Sequence, residues 1–189
     1  MILIVLALVC LLSVPLTGGR LSRLASIRVR GTWVPVVALG VQVIITTILP
    51  QGSPGLHKAA HLATYALIGV FLWCNRRLPG VAVIGLGAFL NALVITVNGG
   101  QMVASRTAER LAGLHLSPGF ENSAPLAHPH LLWLGDVIPW PGPFPNVLSV
   151  GDCVIYAGAL ILLHRVCRGA GEPSGAQRRL VEPLEQLGD

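Results

Sequence analysis

Apolar and polar positions alternate along this chain in blocks: five long hydrophobic runs, separated by short connections, two of them arginine-bearing, and one long mixed segment. The runs cover Met1 to Leu16, Thr32 to Pro50, Ala59 to Asn75, Gly80 to Val97 and about Asp152 to Val166. A bilayer core about 30 Å thick takes roughly 17 to 25 residues of helix. A backbone surrounded by lipid must also satisfy its N–H and C=O groups within its own helix. The pattern therefore predicts an all-α fold, a polytopic membrane bundle of about five transmembrane helices. Pro35 falls in the first turn of the second run, where a missing N–H costs little. The first run has no Lys or Arg before it and no A-x-A cleavage pattern, and Ala7-Leu8-Val9 ahead of Cys10 lacks a lipoprotein box. It reads as a retained helix.

Composition agrees with the blocks. Of 189 residues only 11% are charged and 53% are hydrophobic, with a mean hydropathy of +0.71. A typical soluble domain carries about 25% charge. Thirteen basic and eight acidic side chains cannot coat a core of this size. A disordered chain, a secreted disulfide mini-protein and an ordinary cytosolic enzyme are thereby disfavoured.

The net charge of +5 would suggest nucleic acid in a soluble protein, but its distribution is topological and no nucleic-acid partner is expected. Arg20, Arg23, Arg28, Arg30, Arg76, Arg77, Arg165, Arg168, Arg178 and Arg179 fall on one side of a five-pass arrangement, and Lys58, Arg106 and Arg110 on the other. Such a bias places the N-terminus outside and the C-terminus in the cytoplasm. Residues 1–166 then form the membrane domain, with an outer loop at 98–151, and 167–189 a flexible cytoplasmic tail. The first inner connection spaces Leu21, Leu24 and Ile27 helically between its arginines. It is either a plain topology anchor or a helix lying on anionic headgroups.

The outer loop has its own signals. Ser105 is placed to cap a short helix from Arg106 to Ala112, with Glu109 in its first turn and Gly113 as its stop. Leu131 to Trp140 follows, then Pro-Gly-Pro-Phe-Pro, which forbids continuous helix. With two Trp and several prolines this stretch lies at the outer interface or caps the bundle. The four cysteines share no metal-like spacing, and His115, Glu121 and His128-Pro-His130 form no recognised ligand set. No metal or cofactor is implied.

Polar residues inside the runs are the candidate chemistry. Gln42 lies near the middle of the second helix and Asn91 slightly outward of the middle of the fourth, where an interhelical bond would satisfy both. Asn98 closes the fourth run. Lys58, His61 and Tyr65 follow at i, i+3 and i+7, one face with a cation, an imidazole and a phenol. Opposite, Ser149 and Asp152 have capping-box spacing, and Asp152 shares a face with Tyr156. Together with Asp136 these groups could bind an anionic headgroup and relay a proton. Interfacial anchoring and capping explain the same residues. No nucleophile stands beside a base, so nothing in the spacing implies catalysis.

At Asn75-Arg-Arg-Leu-Pro-Gly, Asn98-Gly-Gly-Gln-Met, Leu134-Gly-Asp-Val-Ile-Pro and Ser149-Val-Gly-Asp the sequence resembles a bacterial multi-pass membrane family known only as a domain of unknown function. That resemblance implies a plasma-membrane location and no particular activity. Lys58-Ala-Ala-His61-Leu-Ala-Thr-Tyr65 is also similar to the Asp-Lys-x-x-His-x-x-x-Tyr signature of VanZ-like envelope proteins, with His57 in place of the acid. It implies Lys58, His61 and Tyr65 as site residues. The expectation is a non-enzymatic membrane protein in contact with lipid. The alternatives are an outer-leaflet envelope-lipid binding or modifying protein, using Lys58, His61, Tyr65, Asp136 and Asp152, and a small transporter subunit using Gln42 and Asn91. A small-molecule or protein partner is not specified.

Overall fold

The computed structural model describes residues 2–44, 54–114, 123–124 and 128–169. The hydrophobic runs appear as helices α1 (Ile2–Leu16), α2 (Trp33–Val43), α3 (Pro54–Cys74), α4 (Val81–Val97) and α6 (Val150–Cys167); the short α5 (Arg106–Ala112) lies between the last two. α3 starts five residues earlier than the sequence pattern places it, because Pro54 is at ease in a first turn. The fold is mostly helical but not all-α. Strands β1 (Met102–Val103), β2 (Ser123–Ala124), β3 (Asp136–Trp140) and β4 (Asn146–Ser149) lie between α4 and α6. Among the described residues α6 is the one helix both long and apolar enough to cross a membrane alone; Val5–Leu16, Leu62–Cys74 and Val81–Val97 are shorter apolar stretches.

The closest helix packing joins α4 to α6, and glycine makes it possible. A Cβ at Gly87 would lie 2.5 Å from the Gly151 carbonyl oxygen, and one at Gly158 would lie 2.6 Å from the Ile84 nitrogen. Gly80 and Gly87 on one helix thus meet Gly158 and Gly151 on the other, head to tail, with matching spacing. Small residues allow this backbone-to-backbone approach, the usual basis of close packing between apolar helices. Gly80 also caps α4 with φ +82°, a conformation that side-chain-bearing residues rarely adopt.

One end of the molecule gathers three arginine-bearing connections. Arg20 N–H donates to the Cys167 carbonyl at 3.0 Å, fastening the first connection, with its 3-10 turn Leu21–Ser26, to the end of α6. Ten residues on, Asn75 holds the same connection to the α3–α4 turn. Its Oδ1 accepts from Arg30 N–H at 2.8 Å and its Nδ2 donates to the Arg30 carbonyl at 2.9 Å. The side-chain amide thereby pairs with a backbone as a neighbouring strand would. α1 is tied to α6 at this end by His164, whose Nε2 lies 3.0 Å from Ser13 Oγ and whose Nδ1 lies 3.1 Å from Thr17 Oγ1.

The opposite end is a small folded cap. Val94 and Ile95 of α4 bury themselves against Met102, Val103 and Leu134. Asn98, just past α4, repeats the amide clamp: it accepts from His130 N–H and donates to the His130 carbonyl, both at 2.8 Å. The next residue, Leu131, takes φ +55° to turn the chain into Leu132–Leu134. β3 and β4 then form an antiparallel hairpin, with Ile138 opposite Leu148 and Trp140 opposite Asn146. The Pro-Gly-Pro-Phe-Pro segment that rules out helix is its turn. Ser105 caps α5 and Gly113 ends it with φ +78°, as the sequence predicts.

Candidate functional site

The tight α4–α6 seam ends in a group of polar side chains. Ser149, fully buried, caps α6: its Oγ accepts from Asp152 N–H at 2.9 Å, and Asp152 Oδ2 accepts from Ser149 N–H at 3.1 Å, completing the expected capping box. Asn91 of α4 reaches into this box. Its Nδ2 donates to Asp152 Oδ1 at 2.9 Å and its Oδ1 accepts from Ser149 Oγ at 2.8 Å. Both ends of the amide are used by α6. The Gln42 side chain lies outside the described residues, as do those of Lys58 and His61. His115 and Glu121, and the tail beyond residue 169, lie outside them as well.

The structure does bring together the other predicted members of the site. Asp136 is buried at the start of β3, opposite Ser149 in the hairpin register, and its carbonyl accepts from Ser105 N–H at 2.9 Å. Tyr65 of α3 packs against the buried cluster of Val94, Ile95, Met102, Val103 and Leu134 and lines the same cavity as Asp152. Asn98 stands apart from this group, at the end of α4, where its amide serves the His130 backbone. His128 and His130 are exposed beside it. Among the described residues no three His, Cys, Asp or Glu side chains cluster as a metal site would require. Ser149 is spent as a helix cap and bonded to Asn91, so it is not poised as a nucleophile.

Below this polar group the helices part. Where α4 faces α2 and α3, a cavity of about 1100 Å³ opens between them. Tyr65, Thr64, Asn91 and Asp152 stand at one end, and Trp73 and Arg76 at the other. The walls between are largely apolar and small. Gly69 and Gly85 line it, and a Cβ on either would meet nothing within 4 Å. The rim is apolar and open, with Trp73 67% and Phe89 62% exposed. Arg76 is held in place: its guanidinium lies 4.3 Å from the Trp73 ring centroid and its Nη1 donates to the Trp73 carbonyl at 2.9 Å.

Composition along the runs shows neither the cavity nor the clamps. The paired glycine spacing, repeated on the fourth and fifth runs, was the available signal for the seam. His164 had no such signal, because its hydroxyl partners sit on a helix far away in sequence.

Comparison with known proteins gives a family but no activity. A family described as "family of unknown function (DUF5317)" matches residues 26–164. An uncharacterised protein of Thermotoga maritima is 33% identical over 108 residues, 55% of this chain and 61% of that protein. The chain therefore spans somewhat under two thirds of that relative's length. No solved structure matches. The VanZ-like likeness of residues 58–69 is not among these findings.

Proposed function

The chain belongs to the DUF5317 family of unknown function, and on that premise we propose that it is a multi-pass membrane protein holding a lipid-like molecule in the α2–α3–α4 cavity. One observation carries the reading. A cavity of about 1100 Å³, walled largely by apolar residues and with polar groups at both ends, has the chemistry of an amphipathic ligand.

Five crossings, by α1, α2, α3, α4 and α6, are the arrangement this reading uses. Three features support it. α6 is long and apolar enough to span, α4 has 17 residues at the lower limit of the required length, and large apolar side chains such as Leu12, Val36, Val70 and Leu86 face outward. The three arginine-bearing connections share one end, which the positive-inside rule makes the cytoplasmic one. The N-terminus is then outside. Asp136, Asp152 and the capped hairpin lie on the outer side, where exposed Trp133 and Trp140 suit a headgroup region. Within this reading the protein binds and positions its ligand without transforming it.

The test uses the full chain purified from membranes in mild detergent. Native mass spectrometry of the wild type should show a retained lipid, and Gly85→Leu, which obstructs the middle of the cavity, should lose it while thermal unfolding stays within a few degrees. Equal retention by the two proteins would reject a cavity ligand. Recovery of the chain in the soluble fraction of lysed cells would reject the membrane assignment.

A further inference from the structure

We infer that the cavity selects an anionic phospholipid, with its phosphate at Arg76 and one acyl chain running along α3 toward Tyr65. This rests on the lipid reading above and adds which end holds the headgroup and what charge it carries.

Charge is divided unevenly between the two ends. Arg20, Arg23, Arg28, Arg30, Arg76, Arg77, Arg165 and Arg168 lie on the three connections gathered at one end. Among the described residues the carboxylates are Glu109, Asp136 and Asp152, all in the opposite cap or at the α6 start beside it, where Arg106 and Arg110 of α5 are the described cations and leave that end net acidic. Arg76 forms no ion pair among the described residues. It lines the cavity mouth, and a guanidinium has five N–H donors in a fixed fork. One nitrogen serves the Trp73 carbonyl, and the Trp73 ring fixes the plane. The remaining donors form a pre-positioned fork suited to a phosphate. At the other end Asn91, Ser149 and Asp152 are bonded to one another, and the two aspartates repel an anion.

Length agrees. From Thr64 to Cys74 α3 rises about 15 Å, with Arg76 just beyond. One leaflet of a bilayer core about 30 Å thick has the same depth. A phospholipid of the arginine-side leaflet can therefore place its phosphate at Arg76 and lay a chain along the groove without leaving its leaflet. In the orientation proposed above, this is the cytoplasmic leaflet, not the outer one that the VanZ-like resemblance suggests.

The experiment exposes the delipidated full chain to equimolar phosphatidylglycerol and phosphatidylcholine and counts retained lipids by native mass spectrometry. Wild type should prefer phosphatidylglycerol by roughly fivefold, the size expected for one basic residue near an anionic headgroup. Arg76→Gln should bring the ratio near one, while Arg76→Lys should keep most of the preference. Arg77→Gln, on the same turn but outside the cavity, should leave the ratio unchanged. Gly85→Leu should lose both lipids. No preference in wild type, an undiminished preference in Arg76→Gln, or an equal loss in Arg77→Gln would overturn the headgroup assignment while Gly85→Leu still strips lipid. Retention of lipid by Gly85→Leu would instead overturn the cavity reading itself.

Discussion

Gly85 and Gly87 are two residues apart on α4 and do opposite work. Gly87 faces α6, where an added methyl would collide with the Gly151 carbonyl and Ile155. Gly85 faces α3, where an added methyl would meet open space. One face of α4 uses the absent side chain to bring two backbones together. The other leaves its absent side chain's room to the cavity. The fold is thus a rigid pair, α4 with α6, beside an open seam.

Breaking the rigid side should have the largest effect. Gly87→Leu forces bulk against backbone, for which overpacking costs of about 3 kcal/mol or more are expected. Loss of the monodisperse species in size-exclusion chromatography would show it. Gly85→Ala sharpens the contrast: the fold should survive with unchanged or slightly raised stability, because alanine exceeds glycine in helix propensity by up to about 1 kcal/mol. If Gly85→Ala destabilised the protein as much as Gly87→Ala, the two faces would not differ as described.

Next in size is the polar bridge across the seam. Asn91→Leu removes the acceptor of Ser149 Oγ and a donor to Asp152, which should cost about 1 to 3 kcal/mol. Chemical unfolding in detergent measures it. Ser149→Ala should cost about 1 kcal/mol as a lost helix cap. The smallest effect is local. Asn98→Ala releases the His130 backbone, so amide exchange at residues 130–134 should speed up while the α4–α6 seam keeps its protection. Equal acceleration in both places would make the cap and the seam a single unit.

Much of this was legible in the sequence where a local rule decides the outcome. Helix α5 is set by Ser105 and Gly113, and the start of α6 by the Ser149–Asp152 box. The apolar runs locate the five long helices because length and polarity alone define them. The hairpin was not legible. Leu131 to Trp140 is apolar without helical or strand periodicity, and only the pairing of Ile138 with Leu148 across the proline turn makes it a strand. Asn91 illustrates the other limit. Position along a run gives depth in the bundle but not which helix stands beside it, so the bonds to Ser149 and Asp152 could not be read from it. The site itself was half visible: Tyr65 and Asp152 line one cavity and Asp136 pairs with Ser149 in the hairpin register, whereas the cavity depends on how α3 and α4 diverge, which no spacing encodes.

Electron density of the chain crystallised from a lipid phase tests the central claim most directly. Continuous elongated density between α3 and α4, from Arg76 to Tyr65, is the expected result. A closed seam, with α3 side chains packed onto Gly85 and no room for a ligand, would contradict it.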